Sequence, residues 1–136
     1  MKRIFYLIVL IVAVASSSAL IAAQQTQVEA QVEIAPPNEE GYRRNGIAIA
    51  NLEALVNTTK ERAFIVAHLG RGETARQLNH RRLECIRSQF GSGVKPGKVI
   101  LVEGERVRGL GRVDFYLGSE LMHVALVPRN SNLCHR

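Results

Sequence analysis

The stretch AFIVAHLGRGETARQLNHRRLECIRSQF, Ala63 to Phe90, decides how this chain folds. Phe64-Ile65-Val66-Ala67 is an apolar run too short for a helix, and His68 with the loop Leu69-Gly70-Arg71-Gly72 ends it, so it reads as a strand. Thr74 and Gln77 stand at the spacing of a capping box, and Gly91 and Gly93 are natural stops, which predicts an amphipathic helix between them. A second apolar run, Val99-Ile100-Leu101-Val102, comes next. Both runs are continuous rather than alternating. That predicts two central, parallel strands covered on both faces, with the helix as a right-handed crossover.

The flanks extend this unit. Ala48, Leu52, Leu55 and Val56 recur at helical spacing from Ile47 to Asn57, with Asn45 as the expected cap. Asn57-Thr58-Thr59 has the form of a glycosylation sequon and reads here as a turn. Upstream, Pro36-Pro37-Asn38 and the polar residues to Asn45 read as a loop over 35–46. Val28, Ala30, Val32 and Ile34 alternate with polar residues, which predicts a half-buried strand over 26–34. On the other side, Arg112 to Leu117 places Val113, Phe115 and Leu117 on one face, and Gly118-Ser119 is turn material. Leu121 to Val127 then returns with Met122, Val124 and Leu126 set against His123 and Ala125. The core therefore spans 47–127, and 128–136 is a polar tail. The class is α/β in composition, arranged as an α+β sandwich with a mixed sheet and two helices on one face.

The first residues are of a different kind. Lys2 and Arg3, the uncharged apolar run from Ile4, the serines 16–18 and the small residues up to Ala23 match the pattern of a secretory signal. The expected cut comes after Ala23, with Ala19 and Ala22 as alternatives, leaving 24–136 as one domain. An uncleaved anchor is the competing reading, since about 20 apolar residues span a bilayer. No cysteine lies near the cut, which excludes a lipoprotein anchor. The reading implies export to the periplasm or the exterior of a bacterial cell.

Of 18 Lys/Arg and 12 Asp/Glu in 136 residues, only Lys2 and Arg3 precede the cut, so the mature chain carries a net charge of +4. Such a balance favours anionic polymers or membrane surfaces, and export argues against nucleic acid. Cys85 and Cys134 form an even pair. In an oxidising compartment a bridge closing about 49 residues contributes about 4 kcal/mol in the chain-entropy model; two unrelated thiols are the alternative.

On a helical wheel, Ala75, Leu78, Asn79, Leu83, Ile86 and Phe90 share one arc, and Arg82 lies inside it. An arginine on that face needs a carboxylate or carries its head into a groove. One reading pairs it with Glu103 or Glu105; the other makes it a ligand contact. Gly70-Arg71-Gly72-Glu73 precedes a helix start without a Walker signature, and the Arg/Gly segment Gly104 to Arg112 is placed to supply positive charge beside it. Support for catalysis is thin. Asp114 is the sole aspartate and sits in a strand pattern, so a triad would draw its orienting group from a glutamate. His68, at a strand end, is the histidine to watch. The four histidines lack ligand spacing, so no metal and no cofactor is expected.

The run "AH", loop, "LNHRRLECI", "VKPGKVILVEGE" and "GRVDFYL" resembles the OmpA-like C-terminal domain, over Ala63 to Leu117. The resemblance implies the order β-α-β-α-β-β and a peptidoglycan-associating role. It matches His68 to the family histidine, Leu78 and Asn79 to its Leu-Ser, Arg82 to the arginine that holds the diaminopimelate carboxylate, Gly104-Glu105 to its Gly-Glu, and Arg112-Val113-Asp114 to its Arg-Val-Glu. The chain departs where the family aspartate should stand, around Leu69-Gly70, leaving Glu73 as a substitute if the loop folds back. The expected ligand contacts are thus Arg82, His68, Glu73 and Arg112. They imply a non-catalytic cell-envelope protein that binds peptidoglycan or another anionic envelope polymer, or that serves a structural role with a protein partner. A small exported enzyme or inhibitor using His68 and Glu73 or Glu105 is the alternative.

Overall fold

Along the strand that opens the deciding stretch, Ala63, Ile65 and Ala67 are fully buried while Phe64, Val66 and His68 are half-exposed. One face of the sheet is therefore packed and the other is open, which corrects the expectation of coverage on both. The computed structural model describes residues 32–74 and 76–134. The leader 1–23, most of the strand expected over 26–34, and Ala75 lie outside them.

Seven elements occur in order: β1 (Glu33–Ala35), α1 (Glu39–Thr58), β2 (Ala63–His68), α2 (Leu78–Gln89), β3 (Val99–Glu103), β4 (Gly111–Leu117) and β5 (Glu120–Val127). The sheet runs β1-β5-β4-β2-β3. Pairs β2/β3 and β1/β5 are parallel; β2/β4 and β4/β5 are antiparallel. The result is an α+β fold on a mixed sheet, with one strand more than β-α-β-α-β-β. Strand β2 is central, as expected, but β3 is an edge. Ile49, Leu52 and Val56 of α1 and Leu83, Cys85 and Ile86 of α2 form one core with Ala63, Ile65, Ala67, Val113, Phe115, Ala125 and Val127. Within this core α1 packs over β1, β5 and β4, and α2 over β2 and β3.

Three boundaries differ from the sequence reading. Helix α1 starts at Glu39 rather than Ile47, capped by Asn38, whose Oδ1 accepts from the Gly41 amide at 3.0 Å. Its first turns carry no apolar stripe, and Glu40 bonded to Arg43 and Arg44 supports them instead. The expected cap, Asn45, sits inside the helix on its buried side, and Asn57 and Thr58 complete its last turn. Helix α2 starts at Leu78, with Gln77 left-handed at φ 69° and no side-chain cap. The wheel holds for Leu78, Asn79, Arg82, Leu83 and Ile86, which are buried; Cys85, off the predicted arc, is buried too, and Phe90 follows the helix and is half-buried.

Strands β5 and β1 turn inward other residues than the alternation predicts. In β5, His123, Ala125 and Val127 point into the core, while Met122 is 36% exposed; Val124 is buried as well, but on the other face, paired with Ile34 and Asp114. An irregularity between Phe115 and Tyr116 explains it, because Phe115 pairs with His123 but Tyr116 with Leu121; one extra residue exchanges the faces of everything beyond it. In β1, Ala35 is buried and Ile34 is 59% exposed, again opposite to the alternation. Cys85 and Cys134 form a disulfide with Cα atoms 5.7 Å apart, which holds Leu133 in the core and fixes the tail. Such a bond fits an oxidising, non-cytoplasmic compartment. Among the described residues no helix is long and apolar enough to cross a membrane.

Candidate functional site

At the C-terminal ends of β2 and β3 two glycine-rich loops meet. Gly70 approaches the backbone of Gly111 so closely that a Cβ would collide with its amide nitrogen. Arg71 N donates to Gly109 O at 2.8 Å, Val107 N to Leu69 O at 2.9 Å, and Arg106 Nη1 to Gly70 O at 2.6 Å. The segment 104–112 therefore does lie beside the Gly70 loop.

Beneath them Arg82 meets Glu73. Arg82 Nη2 donates to Glu73 Oε1 at 2.6 Å and Nη1 to Oε2 at 2.9 Å, a two-pronged pair with both side chains at most 1% exposed. Arg82 Nε donates to Ser131 O and Nη1 also to His68 O. Glu73 in turn accepts from the amides of Gly70 and Asn130. Burial, the largest effect, raises the Glu73 pKa, but the Arg82 bond, the two amide bonds and the Arg82 charge outweigh it and bring it down to about 2. The partner of Arg82 is thus Glu73, not Glu103 or Glu105. The loop does fold back, and in doing so it takes both groups out of reach of solvent.

What the loops offer solvent is arginine. Arg71, Arg106 and Arg108 line an open groove of about 420 Å³. Arg129 reaches the same rim, since a Cβ on Gly72 would lie 3.7 Å from its Cζ. Among the described residues Glu73 is the one acidic residue lining the groove, and its carboxylate is turned inward to Arg82. Among the described residues Arg71, Arg106, Arg108 and Arg129 form no ion pair with a carboxylate.

The remaining predicted contacts lie elsewhere. The β2/β4 register pairs His68 with Arg112 and Val66 with Asp114 on the open face of the sheet. His68 Nε2 is 3.2 Å from Asp114 Oδ2, and Nδ1 is 2.7 Å from the Glu105 carbonyl oxygen. Asp114, 1% exposed, is the orienting group of His68, where the sequence reading looked to a glutamate. Arg112 Nε is 3.0 Å from Asp114 Oδ1 without hydrogen-bond direction, so that contact is one of charge. Both imidazole nitrogens face acceptors. Neither His68 nor Arg112 lines the groove.

The four predicted contacts therefore split into a buried pair and an open-face cluster. The Arg/Gly composition of 104–112 signalled the arginines of one loop; nothing local signalled Arg129. Among the described residues no group of three His, Cys, Asp or Glu side chains is placed to hold a metal ion. No protein-family model, curated protein or solved structure matches this chain.

Proposed function

We propose that this chain is an exported, non-catalytic envelope protein that holds an anionic polymer in the groove between its two arginine loops. The periplasm or exterior of a bacterial cell is its place of action, and peptidoglycan, with its peptide carboxylates, is the first polymer to test. The observation that carries this reading is the gathering of Arg71, Arg106, Arg108 and Arg129 around one groove whose only carboxylate among the described residues is already neutralised by Arg82. Exposed guanidinium groups without a carboxylate partner among the described residues are matched in geometry to carboxylate or phosphate. Arg82, which the OmpA-like resemblance makes the ligand contact, acts here from below by fixing the loop that presents Arg71. On this reading the polymer contacts lie outside the positions that the OmpA-like resemblance marks.

Retention of the exported protein on purified sacculi, and on an immobilised polyanion as control, tests the reading. Arg71→Ala/Arg108→Ala/Arg129→Ala is expected to lose retention while remaining folded, and wild-type retention is expected to fall steeply with salt. Equal retention of both proteins, or salt-insensitive binding, sinks it.

A further inference from the structure

Strand β3 ends the sheet, and its outer edge has no strand partner among the described residues. The two edges of the sheet are not alike. At the far side, β1 has three residues and runs into Pro36-Pro37, which limits what can pair with it. Strand β3 has five residues, VILVE, with no lysine or proline and an unbroken register against β2, and its only charge is the terminal Glu103. Natural sheets commonly blunt an exposed edge of this kind.

The direction of its free groups is set by two bonds. Ala63 N donates to Lys98 O, and Gly104 N donates to Ala67 O, so the even-numbered residues of β3 turn their backbone toward β2. Alternation along a strand then leaves Val99, Leu101 and Glu103 with N–H and C=O groups pointing outward. Such a set is satisfied by an antiparallel copy of itself centred on Leu101. In that register Leu101 faces Leu101 of a second copy, Val99 faces Glu103, and Ile100 faces Val102 at the close, non-hydrogen-bonded positions.

Side chains agree with this register. Val102, 38% exposed on the open face, would be covered by Ile100 of the other copy. Val99 borders a crevice that also carries Arg87 and Lys95, so the Glu103 carboxylate set opposite Val99 would meet positive charge. Among the described residues Glu103 forms no ion pair of its own.

We propose that β3 is a self-association edge, through which two copies of this chain join antiparallel into one continuous sheet. The dimer is concentration-dependent, since a single strand pair is a small interface. It places the two arginine loops at opposite ends of the joined sheet. The inference stands apart from the polymer-binding reading, because no groove residue takes part.

Sedimentation of the exported protein over a concentration series tests it. A monomer–dimer equilibrium is expected. Val102→Lys should raise the dissociation constant by about tenfold or more, because lysine on an edge opposes pairing. Glu103→Lys should do the same, and Glu103→Lys/Lys95→Glu should restore association; circular dichroism confirms that each variant is folded. If Val102→Lys itself fails to fold, the charge-swap pair decides. A wild-type monomer at every concentration, or a dimer indifferent to these changes, overturns the proposal.

Discussion

Arg82 and Glu73 face each other through two hydrogen bonds of 2.6 and 2.9 Å, neither side chain more than 1% exposed. The pair joins four parts of the chain: helix α2, the Gly70 loop, the His68 carbonyl, and the tail at Asn130 and Ser131. Removing one member leaves the other charged and dry. Arg82→Ala is expected to destabilise by about 3 to 5 kcal/mol in urea unfolding, whereas Glu73→Leu/Arg82→Met should recover much of that. Recovery is expected to stay incomplete, because the amides of Gly70 and Asn130 lose their acceptor.

Acid should act through the same carboxylate. Glu73 is depressed from an ordinary 4.5 to about 2 in the fold. Its stabilisation is therefore fully present above pH 4.5 and lost as pH falls from there toward about 2. The shift corresponds to about 3 kcal/mol. Urea midpoints measured across this window should decline in the wild type, and the Glu73→Leu/Arg82→Met variant should show a shallower decline.

His123 predicts a separate step nearer neutrality. Burial, aided by the charge of Arg44 and opposed by Glu33, pushes its pKa below 6.5, and its Nε2 is 2.7 Å from Asn45 Oδ1. The unfolded chain takes up the proton first, so stability contributed by neutral His123 is present above pH 6.5 and lost as pH falls below it. His123→Gln retains a partner for Asn45 and should remove this step from a thermal midpoint versus pH curve.

Gly111 is predicted to be irreplaceable for steric reasons. An added Cβ would lie 2.5 Å from Glu73 Oε2 and 2.6 Å from Arg82 Nη1. Gly111→Ala should cost about 1 to 3 kcal/mol, the range for overpacking a tight site. An unchanged unfolding midpoint would show that the pair has room to move.

The Cys85–Cys134 bridge, closing 49 residues, should contribute about 4 kcal/mol. Reduction is expected to lower the melting temperature. It should also speed hydrogen exchange at the Asn130 amide, which bonds to Glu73 only while the tail is docked. Exchange at Asn130 that is unaffected by reduction would separate the tail from the bridge.

The sequence by itself determined the elements that depend on nearest neighbours along the chain. The 3.6-residue period placed Leu78, Asn79, Leu83, Ile86 and Arg82 on the buried side of α2, and the short apolar runs marked β2 and β3. Gly118-Ser119 marked the β4–β5 turn. These rest on backbone geometry that repeats locally. It also placed positive charge beside the Gly70 loop through the Arg/Gly segment 104–112, though not Arg129, which arrives from the tail. Only the tertiary structure decided which groups meet. Asp114 reaches His68 because of the β2/β4 register, Glu73 reaches Arg82 because Gly70 and Gly111 let two loops close over it, and His123 turns inward because of one irregularity beside Phe115. Strand order made β3 an edge rather than a centre. Each of these depends on contacts between residues distant in sequence, and periodicity carries no information about which distant strand a segment will join.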